Sequence, residues 1–327
     1  MPVYNESMDY SVLGRTGLSV SRLGFGATGI GDMYSKTQQD DATKAVEIAL
    51  EAGINYFDSA PSYGPEGLAE ERLGIALGTH RKDIILTTKC GRYDHGKVDA
   101  ADFEFDYSAK RARLEIENSL RRLKTDYIDI YQIHEIRMAP NLTMLIEETL
   151  PEMEKMRQEG KIRYIGITDT YLDMLKYVAE RSPSVDMLLT FGRYNLVDTS
   201  LSGYFDDLKK SRNVGVVNSS VMYIGMLTMD MHTLAHHRAE DKHVELKKAV
   251  RKCIALCQEK GYDLGALAMQ FGSHCDAADS TLVAMGRPSR INQNLKLYRE
   301  PVDMEFCKQL HEILEGQTMF PPIPMKI

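Results

Sequence analysis

Four polar side chains in the first half of the chain have types suited to moving a proton on and off an oxygen atom. Asp58 closes the apolar run 54–58, and Tyr63 follows it at the spacing Asp-x4-Tyr. Lys89 closes the run 84–89, and His134 closes the run 127–134. A tyrosine, with a pKa near ~10, is a poor acid at neutral pH. An ammonium beside it stabilises the phenolate and lowers that pKa. An aspartate beside the lysine would hold the ammonium charged and oriented, and a histidine can hydrogen-bond a substrate oxygen. Together the four suit proton transfer to or from a carbonyl or alcohol oxygen. Each alone has a plainer role, the aspartate as a helix cap and the lysine as a solvated strand end. Four at the ends of successive apolar runs point to a site, provided the fold gathers those ends.

Eight short runs rich in Val, Ile and Tyr recur at 20–25, 54–58, 84–89, 127–134, 162–168, 186–190, 214–219 and 281–285. Their near-continuous apolar character predicts strands buried on both faces, as in a parallel sheet. Helical periodicity lies between them, at 41–52, 68–77, 108–123, 143–158, 171–179, 244–260 and around 294–298. Gly53, Gly160 and Gly261 supply helix stops. The stretch 263–272 reads as an extra helix, and 227–243 as a long polar loop. Alternation without a compositional break predicts one α/β domain over 1–327. Eight strand–helix units point to a TIM-type (β/α)8 barrel over about 10–300, with a C-terminal helix and tail over about 301–327. A doubly wound sheet is the alternative, because no single run displays closure. In a barrel, Asp58, Lys89 and His134 would converge at the C-terminal mouth, where barrel active sites lie.

The segment Leu23-Gly-Phe-Gly-Ala-Thr-Gly-Ile-Gly31 contains the glycine spacing of a dinucleotide-binding turn, Gly24-x-Gly26-x-x-Gly29. A working fingerprint needs a helix to open at its third glycine, because the helix N-terminus receives the pyrophosphate. No helical period begins here until about Asp41. The match is therefore read as accidental. Gly26 and Ala27 are expected instead to let the first loop pass close to a molecule bound at the barrel mouth.

The chain has 327 residues, 43% of them hydrophobic, and a net charge of −7. This is enough apolar material for a large core, and an acidic balance that argues against nucleic acid and anionic membrane as partners. Its five cysteines, an odd number without repeated spacing, do not suggest a disulfide framework, so a cytoplasmic setting is expected. The N-terminus does not read as a signal peptide, and no apolar run approaches the ~20 residues of a membrane helix. A monomer or small homo-oligomer is expected.

Beyond the four polar residues, the chain resembles the aldo-keto reductases from about Tyr10 to Leu297. The resemblance is carried by Leu13-Gly-Arg-Thr-Gly-Leu-Ser-Val-Ser21, Gly53-Ile-Asn-Tyr-Phe-Asp-Ser-Ala-Pro-Ser-Tyr-Gly64, Glu71-Arg-Leu-Gly74, Thr87-Thr-Lys-Cys-Gly91, Ser119-Leu-Arg-Arg-Leu-Lys-Thr-Asp-Tyr-Ile-Asp129 and Gly160-Lys-Ile-Arg-Tyr-Ile-Gly166. Thr88–Tyr93 and Phe105–Ser108 look most like the branch of L-galactose dehydrogenases and aldose 1-dehydrogenases. The resemblance implies a (β/α)8 barrel, an extended NADP(H) or NAD(H) across the strand mouths, and no metal. It implies Tyr63 as general acid and base, tuned by Lys89 and Asp58, with His134 orienting the carbonyl oxygen. The implied reaction is hydride transfer between nicotinamide and a small carbonyl or alcohol, a sugar such as L-galactose or an aldehyde.

Cofactor contacts carry over with departures. Thr168 and Asp169 stand where the family places Ser-Asn for the carboxamide, and an aspartate supplies no amide donor. Thr190 or Phe191 falls near the usual sixth-strand glutamine, and Ser219 replaces an aromatic residue that often stacks on nicotinamide. Gly225 and Leu227 are retained. Gly286-Arg-Pro-Ser-Arg-Ile-Asn-Gln-Asn294 matches the adenosine-binding loop, with Gln293 and Asn294 suited to adenine. Arg290, aided by Arg287, suits a 2′-phosphate and leans the cofactor slightly to NADP(H), while the L-galactose dehydrogenase likeness favours NAD(H). Tyr34, Arg92, Tyr93, Glu135 and Tyr223 are the candidate substrate contacts. Two readings from other classes stand beside this one: a cofactor-binding regulatory or interaction subunit with little turnover, and a metal-dependent hydrolase using His232, His236, His237 and His243.

Overall fold

The computed structural model describes residues 5, 8–33, 35–94, 103–228 and 243–327. Eight parallel strands close into a barrel: β1 (Leu23–Gly26), β2 (Tyr56–Asp58), β3 (Ile85–Cys90), β4 (Ile128–Ile133), β5 (Ile162–Asp169), β6 (Met187–Phe191), β7 (Gly215–Ser219) and β8 (Ser280–Ala284). Each strand pairs with the next in chain order, and β8 pairs back onto β1, with Leu282 opposite Gly24. That closure removes the doubly wound alternative. The apolar runs become strands because both faces are covered. Phe57, Leu86, Tyr131, Ile165, Leu188 and Val216 face the helical layer, while Tyr56, Ile85, Ile130, Met187, Val217 and Leu282 fill the interior. This is the period-two alternation of a strand buried on both sides.

The connecting helices are α1 (Gln39–Glu51), α2 (Leu68–Leu77), α3 (Ala109–Arg122), α4 (Leu150–Gln158), α5 (Leu172–Arg181), α6 (Asp206–Arg212), α7 (Val244–Lys260), α8 (Leu264–Ser273), α9 (Pro288–Arg299) and α10 (Met304–Leu314). The helical period at 143–158 divides into a turn at Leu142–Met144, a π-helical stretch at Leu145–Thr149, and α4. Pro151 has no N–H to donate and its ring crowds the carbonyl four residues back, which accounts for the altered ladder. α7 and α10 pack on each other and on α8 in a second apolar cluster outside the barrel, with Val250, Cys253, Phe306 and Leu310 at its centre. A hairpin of Tyr10–Val12 with Ser19–Ser21 stands at the N-terminal end, and Leu13 and Val20 join the interior cluster from below. No helix among the described residues is long and apolar enough to cross a membrane.

Candidate active site

At the C-terminal ends of the strands, alternation selects which side chains enter the mouth. On β3 the inward positions are Ile85, Thr87 and Lys89; on β4 they are Ile130 and Gln132, followed by His134. Asp58 ends β2 on the same face as Tyr56. The result is a polar layer above the apolar interior. Lys89, fully buried, donates from Nζ to Asp58 Oδ2 at 2.6 Å and to the Ser59 carbonyl at 2.8 Å. Asp58 Oδ1 accepts from Thr87 Oγ1 at 2.6 Å and from Gln132 Nε2 at 2.9 Å. Thr168 Oγ1 in turn donates to Gln132 Oε1 at 2.7 Å, so the network spans β2 to β5.

Tyr63 reaches this layer from the loop after β2. Its N–H bonds the Ala60 carbonyl at 3.1 Å, and its own carbonyl accepts from Ala69 in α2 at 3.0 Å. Lys89 Nζ lies 4.8 Å from the centre of the Tyr63 ring. The His134 ring meets Tyr63 edge-on, centroids 5.8 Å apart and planes at 82°. The His134 backbone N–H donates to the Cys90 carbonyl at 2.8 Å, and Ser62 Oγ stands 3.4 Å from the ring Nδ1. Burial drives the His134 pKa well below its ordinary value, and the charges of Lys89, Arg92 and Arg137 push the same way. The ring is therefore neutral, with one N–H to donate. Burial also lowers the Lys89 pKa, with Asp58 opposing it. Such a cluster can stabilise a phenolate, pass a proton between Tyr63 and a substrate oxygen, and bond that oxygen from a neutral imidazole.

Asp58, Tyr63 and His134 line a cavity of about 520 Å³, and Thr168, Phe191, Ser219, Gly286, Arg290 and Asn294 line the same cavity. The profile of the Aldo/keto reductase family matches residues 22–315. The chain belongs to the aldo/keto reductase family. It is 38% identical to an L-galactose dehydrogenase of Arabidopsis thaliana over 94% of this chain and 95% of that one. It is 29% identical to a D-threo-aldose 1-dehydrogenase of a Pseudomonas species, over 85% and 89% of the two chains. A solved aldo-keto reductase from Bacillus halodurans, in its holo form, superposes with a TM-score of 0.72 at 28% identity, covering 96% of this chain and 98% of that one. The protein is an oxidoreductase of this family.

Aldo-keto reductases use nicotinamide dinucleotides, and the cavity of this one fits such a group. Asn294 is buried at the cavity wall, and its Nδ2 has no hydrogen-bond partner among the described residues. Arg287 and Arg290 stand at the N-terminus of α9, a position suited to a phosphate. The glycine-rich loop after β1 meets the loop after β8 backbone to backbone: a Cβ on Gly29 would fall 2.6 Å from Gly286 N. Gly26 and Gly29 thus allow a close approach at the cavity wall, and Gly29 lies inside a short 3-10 turn, Ala27–Gly31, while no α-helix opens before α1 at Gln39.

The structure brings most of the expected residues to this cavity and leaves some away. Gly26, Thr168, Ser219, Gly225 and the α9 pair Arg290 and Asn294 line it, as do Arg92, Glu135 and Arg287. Asp169 does not, because its carboxylate is spent on Arg137 and on the backbone N–H groups of Arg137, Thr170 and Tyr171. Tyr223 is turned away, its hydroxyl accepting from Met319 N at 2.9 Å. The Tyr93 hydroxyl accepts from Gly91 N at 2.9 Å, and its ring lies under Arg111. Ala27 packs into the helical layer, Leu227 into the cluster of α7, and Gln293 is exposed and receives Arg290. Tyr34 and His232, His236 and His237 lie outside the described residues. Among the described residues no cluster of His, Cys, Asp and Glu could hold a metal ion. Gln132 and Thr87 escaped notice in the sequence, although each stands two residues before a singled-out residue and so on the same strand face.

Proposed function

We propose that this aldo-keto reductase oxidises an aldose at C1, and reduces small carbonyl compounds in reverse, with Tyr63 as base in the first direction and acid in the second. The observation that carries the roles is the Lys89 ammonium, pinned on Asp58 at 2.6 Å and facing the Tyr63 ring at 4.8 Å. Lys89 stabilises the phenolate of Tyr63, and Asp58 fixes Lys89. Neutral His134 donates to the substrate oxygen, whose proton passes to or from Tyr63. When bound, NAD(P)(H) supplies or accepts the hydride. Thr168 and Ser219 would hold its nicotinamide end, Gly26 and Gly225 the span between, and Arg287, Arg290 and Asn294 its adenosine end. The two arginines tip the proposal toward NADP(H). The sugar substrate is supported by the relatives named for L-galactose and D-threo-aldose.

The test follows nicotinamide absorbance with wild type and Tyr63→Phe, on L-galactose, L-fucose, other aldoses and simple aldehydes, with both cofactors. Wild type is expected to turn over aldoses, and the variant to fall by at least about a hundredfold, the low end of general acid–base contributions. Cofactor binding should be unchanged, read by the fluorescence of the reduced nicotinamide. Equal turnover by the variant removes Tyr63 from its role. Cofactor binding without turnover of any compound transfers the protein to the regulatory reading.

A further inference from the structure

Arg92 and Glu135 stand on the cavity wall beside His134, and the proton transfer above uses neither. They begin a line of alternating charges. Arg92 Nη1 lies 3.2 Å from Glu135 Oε2, and Arg137 Nη2 donates to Glu135 Oε1 at 3.0 Å. Arg137 is held in turn by Asp169, at 3.2 Å from its guanidinium and 2.7 Å from its backbone N–H. The four charges cancel, so the line does not select a charged ligand. Of the four, only Arg92 and Glu135 line the cavity, so this part of its wall offers a cationic donor and an anionic acceptor side by side.

The backbone is bent to place them there. In a continuing strand, His134 and Glu135 would face opposite sides. Instead Glu135 has φ +50°, a left-handed conformation that costs a residue with a Cβ, and both side chains line one cavity. The turn is fixed by the Tyr107 hydroxyl, 2.8 Å from the carbonyl oxygens of both residues. Strain kept at a cavity wall and braced from behind is the form that a functional constraint takes. Arg92 is braced too, its guanidinium 3.8 Å from the centre of the Phe103 ring, while its buried Nε has no partner among the described residues.

We infer that Arg92 and Glu135 form a recognition pair for neighbouring hydroxyl groups of a polyol substrate, one hydroxyl oxygen accepting from the guanidinium and the next hydroxyl donating to the carboxylate. The inference rests on the sugar reading above and adds the element that selects a polyhydroxylated substrate over a plain one. A substrate with no hydroxyls beyond the reacting carbon gains nothing from the pair and must desolvate it.

The experiment compares kcat/KM for oxidation of the preferred aldose with that for 2-hydroxytetrahydropyran, a cyclic hemiacetal with the same reacting carbon and no further hydroxyls. It uses wild type, Glu135→Gln and Arg92→Met. Each variant should lower the aldose value at least about tenfold, mainly through KM, because the contact is made equally in ground and transition states. The hemiacetal value should fall less than about threefold, which also reports that the variant is folded. Equal losses on both substrates would overturn the inference, since the pair would then act only by positioning His134. An unchanged aldose value in both variants would overturn it as well. Absence of aldose turnover in wild type would sink the sugar reading and this inference together, and would be seen before any variant is made.

Discussion

His134 illustrates how a residue can be placed by sequence while its state is set by its surroundings. The ring is 5% exposed, and burial together with three nearby cations holds its pKa well below the ordinary value of about 6.5. In the unfolded chain the same imidazole binds a proton below about pH 6.5. Below that pH the unfolded state therefore takes up a proton that the folded state refuses. The contribution is fully present above pH 6.5 and is lost as pH falls toward the folded pKa, with a limiting slope of about 1.4 kcal/mol per pH unit. His134→Gln cannot show this loss. Denaturant titrations at pH 7.5, 6.5 and 5.5 should thus find the stability gap between wild type and variant narrowing on the acid side. A gap that stays constant with pH would mean that the folded imidazole titrates normally. The expected contacts that do not line the cavity differ from His134 in one respect. Asp169, Tyr93 and Tyr223 have suitable types at suitable positions, but Arg137, Gly91 and Met319 claim their polar atoms. Those partners are distant in sequence or follow from a local turn, and periodicity carries no trace of them.

At the scale of elements, the eight apolar runs coincide with the eight barrel strands to within a few residues at each end. Parallel strands covered on both faces must be apolar throughout, and that is visible without a fold. Closure is not, because it depends on β8 reaching β1. The hairpin of Tyr10–Val12 with Ser19–Ser21 and the short α6 were also not legible, since neither has enough residues to establish a period. What the closed barrel adds is contact across strands, and Gln132 is its clearest product. Its amide joins Asp58 and Thr87 on one side to Thr168 on the other, tying β2 and β3 to β5 through β4. Gln132→Glu keeps the size of the side chain but sets a second carboxylate against Asp58 Oδ1. Two carboxylates at that distance do not both ionise, so one retains a proton to higher pH. The acid limb of the kcat/KM profile should move upward in pH, with kcat reduced as Lys89 loses part of its counter-charge. Gln132→Leu should instead leave Asp58 and Thr168 short of partners, costing about 1–3 kcal/mol for each group orphaned. A pH profile unmoved by Gln132→Glu would confine Gln132 to packing.

The whole molecule separates its two ends by task. The C-terminal mouth carries the charged and strained residues of the cavity, and the N-terminal end is stopped by the hairpin of Tyr10–Val12 and Ser19–Ser21. Leu13 leaves that hairpin fully buried, and the chain then turns at Gly14 with φ +44°. A Cβ at Gly14 would lie 2.3 Å from Gly215 N and 2.4 Å from the Asn213 carbonyl, both backbone atoms at the entry of β7. Backbone cannot rotate aside as a flexible side chain can, so Gly14→Ala must shift the hairpin or β7. Arg15 resists that shift, since its N–H bonds the Asn213 carbonyl and its side chain bonds Asp186 at 2.8 Å. The left-handed turn and the overpacking each cost about 1–3 kcal/mol, so the variant should lose roughly 2–6 kcal/mol of stability. Because the turn lies at the far end of the strands from Tyr63, the surviving folded fraction should keep its kcat and KM. Thermal melting and activity normalised to folded protein measure the two effects separately. If melting is unchanged, Leu13 and Gly14 do not stop the barrel. If KM rises in protein that remains folded, a displaced β7 has carried the disturbance up to Ser219 at the cavity, and the two ends are coupled through that strand.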